Sequence, residues 1–332
     1  MGRRTTINDV AAAAGVSVST VSKAVHGRYG VSPETVRRVI DIVEKLGYQS
    51  SLGASSMRSQ RTGVIGVLVP GFEPFSAEIL KGVGSAVRGT GFDLLAYSGS
   101  EDGSGDGWER RSVSRLSGTL VDGLIMVTPS VVSVSGEVPV VAIDPHTGRA
   151  DLPTVESDSY HGAQLATRYL IGLGHTRIGF VAGRPDLRSS GLRDAGYRSA
   201  LIEAGLQFDP SLVGIGRYEV DATRQLAFEM LSRADRPTAI FAANDLSAIA
   251  VAAVASELGI SVPDQLSIIG FDDIAEASRH SPPLSTVRQP MQLLGEIAAS
   301  MLFALLKGEK PEVTHVQLPT RLVPRGTTSP PR

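Results

Sequence analysis

Five polar side chains stand directly after apolar runs or open a helix. Asn244 and Asp245 follow FAA, Asp272 and Asp273 follow SIIGF, and Arg193 opens RDAGYRSAL. Arg and a carboxylate brought together offer donors and acceptors that suit the hydroxyls of a sugar. The same residues have plainer uses: Asn244 or Asp245 can cap a helix over 246–258, and Asp273 can cap a turn. Motifs for turnover are missing. There is no G-x-x-x-x-G-K-[ST] loop and no G-x-S-x-G elbow, and the six His show no metal-binding spacing. Asp102-Gly-Ser-Gly-Asp106-Gly107 starts like a calcium loop, but its twelfth position is Val113, so a solvated loop is expected. The chemistry is that of binding; no enzyme, cofactor or metal is expected.

The elements that must carry these residues alternate. Val64–Val69 is a continuous apolar run suited to a strand buried on both faces. Helix Phe75–Arg88, strand Phe92–Tyr97, helix Trp108–Leu116 and strands Gly123–Val127 and Val140–Ile143 complete one parallel unit. A second set runs through helix Gly162–Leu173, strand Ile178–Val181, helix Gly191–Ala204 and a strand near Leu212–Ile215. It continues with helix Ala222–Ser232, strand Ala239–Ala242, helix Leu246–Leu258 and strand Leu266–Gly270, before helix Met291–Leu306 and strand His315–Leu318. Such repetition predicts doubly wound α/β sheets, whose ligands sit at the carboxyl ends of the strands. The length of 332 residues and 42% hydrophobic content allow more than one core.

The first sixty residues differ. In TINDVAAAAGVSVSTVSKAVHG, Thr6 and Asp9 mark a capped helix start, and Ile7, Val10, Ala11 and Ala14 share a face. Gly15 ends that helix, Val16 plugs the corner, and Ser17 caps a second helix. Val21 and Val25 face back, which leaves Val18, Ser19 and Lys23 outward. A third helix starts at Ser32-Pro33-Glu34 with the stripe Val36, Val39, Ile40, Val43, Leu46. This is a helix-turn-helix plan, whose second helix enters the DNA major groove. Residues 1–61 hold nine Lys and Arg against four acids, a net +5, while the remainder holds 23 against 30, a net −7. A basic head on an acidic body fits a DNA-binding module joined to something else. The lack of Cys, of a secretory signal in MGRRTT and of any bilayer-spanning apolar run points to a cytoplasmic protein.

The headpiece text, followed in order by RTGVIGVLVPGF, LIGLGHTRIGFVAG, FAANDLSAIA, VPDQLSIIGFDDI and PPLSTVRQP, resembles the lactose-repressor (LacI/GalR) family of bacterial transcription regulators over nearly the whole chain. The resemblance implies a three-helix headpiece (1–48), a hinge helix or linker (49–62), and two subdomains of the periplasmic-binding-protein type. These would span 63–157 with 289–318, and 158–288 with 319–326, before a tail at 327–332. Crossing strands would lie near Val155–Asp158, Thr286–Gln289 and Leu318–Leu322.

The resemblance further implies that Val18, Ser19 and Lys23 contact bases and that Thr20, Ser22 and His26 contact phosphates. Met57, where Leu is usual, would wedge into the minor groove; Ser50 replaces the Pro often found before the hinge helix. Arg193, Asn244, Asp272 and Gln289 match effector ligands, Phe75 and Tyr218 match aromatics laid against the effector, and Ser189 lies in the preceding loop. Their mixture favours a sugar over a sugar phosphate or a nucleobase. The implied function is a repressor that binds a pseudo-palindromic operator as a homodimer and answers to a small molecule between its subdomains. The tail TTSPPR shows no added helical repeat, so a dimer is expected rather than a tetramer. The alternative is a solute-binding protein without a DNA role, against which the basic head speaks.

Overall fold

A computed structural model describes residues 5–25, 30–46, 61–99, 108–117, 120–130, 138–146 and 152–332. Contacts divide the chain into two compact units, Met1–Thr62 and Gly63–Arg332.

The first unit is three helices, α1 (Ile7–Ala14), α2 (Val18–Val25) and α3 (Pro33–Leu46). Thr6 and Asp9 form a reciprocal capping box: Asp9 N donates to Thr6 Oγ1 at 3.4 Å and Thr6 N to Asp9 Oδ2 at 2.8 Å. Gly15 ends α1 at φ 63°, a left-handed turn that costs Gly little. The Thr20 amide donates to Ser17 Oγ at 3.1 Å, and the Thr35 amide to Ser32 Oγ at 3.3 Å. Val10, Ala11, Ala14, Val21, Ala24 and Val39 make the core, with Val16 and Val18 packed on it. Small residues at these positions let three short helices approach closely.

The second unit has two lobes. A six-stranded parallel sheet runs in the order β11-β5-β4-β3-β1-β2. Its members are β1 (Val64–Val69), β2 (Asp93–Ser98), β3 (Gly123–Val127), β4 (Val140–Ile143), β5 (Thr154–Ser157) and β11 (His315–Leu318). Every residue of β1, β3 and β4 is buried, as continuous apolar runs require. Helices α4 (Pro74–Val87) and α5 (Trp108–Leu116) belong to this lobe, and α11 (Met291–Leu306) returns to pack on α4. A Cβ on Gly82 would lie 1.9 Å from Gln292 O, and one on Gly295 2.4 Å from Ile79 O, so two glycines let these helices touch through their backbones.

The other lobe is a four-stranded parallel sheet, β7-β6-β8-β9. It comprises β6 (Ile178–Ala182), β7 (Val213–Ile215), β8 (Ala239–Ala242) and β9 (Ser267–Ile269), with helices α6 (Ser159–Gly172), α7 (Arg188–Glu203), α8 (Val220–Leu231), α9 (Asp245–Glu257) and short α10 (Ala275–Arg279). Phe180 stacks on Tyr197 at 4.9 Å and meets Phe241 at 5.1 Å, and Tyr197 OH donates to Ile178 O at 2.8 Å. An antiparallel pair, β10 (Thr286–Arg288) and β12 (Arg321–Val323), joins the lobes. Thr327 is fully buried: its hydroxyl donates to Ile268 O at 2.7 Å and accepts from the Ser285 amide. Residues 327–329, expected to form a tail, are thus threaded into this lobe.

Several local expectations differ from the structure. Helix α6 starts at Ser159 rather than Gly162, where Asp158 caps it by accepting from the His161 amide at 3.1 Å. Helix α7 starts at Arg188 rather than Gly191, because its N-cap is Leu187, which has no side chain that can signal a start. Ser189 therefore sits on the helix and not in a loop. Helix α10 had no predicted counterpart; five residues are too few for a periodic pattern.

Candidate functional site

On α2, Ser19 and Lys23 are exposed, while Val18, Thr20 and Ser22 are half-buried. Val18 gives part of its surface to the headpiece core, and the Thr20 hydroxyl lies 2.9 Å from that of Ser17. Val21 and Ala24 hold the opposite face of the helix inside. The outward surface is thus short polar groups and one ammonium, which can lie against a groove without steric bulk. His26 and Met57 fall outside the described residues.

The second candidate lies in the sensor unit, where strand ends and crossing segments meet. Arg193, on α7, is almost wholly buried. Its guanidinium carbon lies 3.9 Å from the centroid of Phe271, Nη1 donates to Ala243 O at 2.5 Å, and Nη1 is 3.8 Å from Asp272 Oδ1. Gln289 Nε2 donates to the same Asp272 oxygen at 2.6 Å. Burial pushes the Asp272 carboxyl up to about 6, although Arg193 and Gln289 favour its charge. Asp144, in the left-handed region at the end of β4, accepts from the Ser157 amide at 3.0 Å, and burial holds it up at about 7. Tyr218 is half-buried; its ring occupies the space a Cβ on Gly183 would need, and burial pushes its phenol up. The structure therefore brings Arg193, Asp272, Gln289 and Tyr218 together.

The other expected residues have other surroundings. Ser189 lines a residual cavity of about 10 Å³ with Asp144, Glu156, Ser157, Ser159 and Arg188. Asn244 caps α9, its Oδ1 accepting from the Ser247 amide at 3.0 Å, which is the plainer of the two uses open to it. Phe75, the second residue of α4, is partly buried and packs against the apolar core.

Four buried polar atoms in this region have no hydrogen-bond partner among the described residues: Arg193 Nε, Gln289 Oε1, Ser157 Oγ and Ser159 Oγ. Buried groups are normally satisfied, and an unmet one costs about 1–3 kcal/mol. Their convergence marks a place built for a polar guest. Sequence reasoning missed Asp144, Ser157, Ser159 and the ion pair of Arg188 with Glu156, at 2.5 Å. Asp144 carried a readable signal, since it follows an apolar strand just as Asp272 does. The two serines carried none; only the crossing of β5 between lobes brings them here. No group able to hold a metal ion occurs among the described residues, and none of their helices is long and apolar enough to cross a membrane.

A helix-turn-helix unit and a two-lobed α/β unit with unmet polar groups between its lobes define a DNA-binding regulator carrying a sensor of the periplasmic-binding type. Known proteins agree. The family described as bacterial regulatory proteins, lacI family, matches residues 6–51, and the periplasmic binding protein-like domain matches 167–328. The HTH-type transcriptional regulator CelR of Thermobifida fusca is 34% identical over 97% of this chain and 98% of its own. A solved CelR–cellobiose complex is 32% identical with a TM-score of 0.73, covering 98% of this chain and 100% of that one. The lac repressor dimer bound to operator and an anti-inducer gives a TM-score of 0.85 at 27% identity, with 98% and 100% covered. The chain belongs to the LacI family of bacterial transcription regulators.

Proposed function

We propose that this regulator represses transcription from a pseudo-palindromic operator as a homodimer, and that a neutral sugar seated between the sensor lobes switches it. One observation carries the reading: the four unmet polar atoms converge beside two buried carboxylates, Asp144 and Asp272. Sugar hydroxyls both donate and accept, so they can satisfy Arg193 Nε and Gln289 Oε1 together while donating to the carboxylates. A phosphorylated sugar fits less well. Arg193 already faces Asp272 and Arg188 already faces Glu156, so an added phosphate would meet surplus negative charge. The sugar then acts on DNA binding only by favouring one lobe arrangement over another.

In this reading Arg193, Asp272, Gln289, Asp144, Ser157 and Ser159 hold hydroxyls, Tyr218 lies against the ring, and Asn244, Ser189 and Phe75 border the seat. Val18, Ser19 and Lys23 face base edges, with Thr20, Ser22 and His26 on phosphates and Met57 in the minor groove. The protein works in the cytoplasm and turns nothing over. The boundaries proposed are 1–48 for the head, 49–62 for the hinge and 63–332 for the sensor, whose last residues are threaded into the four-stranded lobe. The cellobiose and operator complexes of its relatives support both halves of this reading. A thermal-shift screen of sugars and purines, followed by operator titration with each hit, tests it. A sugar should raise the melting point and change operator affinity; a hit that leaves operator affinity untouched refutes the switch.

A further inference from the structure

The loop after β9 holds two consecutive non-glycine residues in the left-handed region, Asp272 at φ 115° and Asp273 at φ 63°. Such backbone is strained and persists only where the surroundings over-determine it. Here the surroundings are the segments that join the lobes. The Asp272 amide donates to Val287 O at 2.8 Å, and the Gln289 amide to Asp272 O at 3.2 Å, so the loop runs as a parallel bridge along β10. The consequence of the double turn is that neighbouring carboxylates take different partners. Asp272 meets Arg193 and Gln289, while Asp273 meets Arg288 and Arg325.

Asp273 is therefore bound from two directions. Arg288 Nε, on β10, donates to its Oδ2; Arg325 Nη2, just beyond β12, donates to its Oδ1 at 2.6 Å. The Asp273 side chain is only 4% exposed, so both pairs are shielded from solvent on the carboxylate side. Arg325 is itself fixed, since its Nη1 donates to Leu284 O at 2.9 Å and its amide to Ser285 Oγ at 2.8 Å. Asp245 adds a second tie: Oδ2 accepts from the Ile274 amide at 2.9 Å and Oδ1 from the Thr286 hydroxyl at 2.5 Å. The strands β10 and β12 are two of the segments where the chain changes lobes, and both are fastened to the loop that carries Asp272.

We propose that Asp273 is the positioning residue that makes the Asp272 loop and the crossing strands β10 and β12 move as one body. A guest drawn to Asp272 then displaces the strands between the lobes directly rather than an isolated loop. This rests on the reading of the cleft as the effector seat, but the clamp itself is testable without any effector.

Amide hydrogen exchange on the full chain reads it. Asp273→Asn should accelerate exchange in residues 270–274, 286–289 and 321–325 together, by about tenfold, and leave β8 and β1 unchanged. Arg325→Gln should do the same in 270–274 and 321–325, while Arg325→Lys, which keeps the charge, should restore protection. Acceleration confined to 270–274, or spread evenly over the whole lobe, or a Lys variant no better than Gln, overturns the clamp. Cellobiose added to the wild type supplies the effector arm: it should protect all three segments, and in Asp273→Asn only 270–274. Equal protection of all three segments in both proteins overturns the coupling. A wild type indifferent to cellobiose counts against that sugar as effector, and the unliganded comparison still decides the clamp.

Discussion

Asp144 shows how stability and recognition pull apart on one side chain. Its carboxyl is held near 7 and that of Asp272 near 6, against 3.8 for an ordinary aspartate. Between those values the native chain keeps protons that the unfolded chain has released. Stability from these groups therefore falls as pH rises from about 4 to about 7, and levels off beyond. Asn at position 144 can still accept the Ser157 amide without paying for a buried charge. We expect Asp144→Asn to flatten the loss of stability between pH 5 and 8, measured by urea unfolding, and to weaken sugar binding by about 1.5–3 kcal/mol. Sugar affinity of the wild type should rise over pH 5.5–7.5 as the acceptors ionise; a flat profile would remove both carboxylates from the seat. On the reading helix, Lys23→Ala should relax base preference at one operator position at a cost of about 1–3 kcal/mol, seen by titrating single-base operator variants. Loss that is equal on every sequence would make Lys23 a phosphate contact instead.

Elements were legible wherever one residue pattern had one structural answer. The run VIGVLV admits only a strand covered on both faces, and Val64–Val69 is that strand. Thr6, Gly15, Ser17 and Ser32 each stand at a helix end whose backbone groups they satisfy or release, so the headpiece could be read from its punctuation. Helix α7 could not, since Leu187 caps nothing. The candidate site was half legible for the same reason: Asp272 announces itself after a strand and Arg193 near an expected helix start, whereas Ser157 and Ser159 acquire their neighbours only when the chain crosses between lobes after β5. Asn244 was legible in kind and ambiguous in use, because one amide oxygen at a helix start serves a cap as readily as a ligand. The contact of α4 with α11 offers a sharp test. Gly82→Ala sets a methyl 1.9 Å from a backbone carbonyl that cannot move alone, and it should cost about 3 kcal/mol or more in chemical denaturation. A loss below about 1 kcal/mol would mean the helices separate freely.

Residues 327–329 close the four-stranded lobe. His175 Nε2 lies 2.9 Å from Ser329 O and its Nδ1 2.9 Å from the Thr238 hydroxyl, so the imidazole donates to the last segment and accepts from the sheet. Burial lowers its pKa and so favours the neutral form. Removing residues 327–332 should lower the melting temperature by about 4 °C or more and expose Ile268 to exchange, while the headpiece retains its helical signal. An unchanged melting curve would make the segment an ornament. The six-stranded sheet likewise waits for β11, its edge strand, which pairs with β5 some 160 residues earlier along the chain. During synthesis, then, the three-helix head is complete well before either lobe, since the six-stranded sheet waits for residues 315–318 and the four-stranded lobe for Thr327. Each newborn molecule passes through an interval in which its grip exists and its judgement does not.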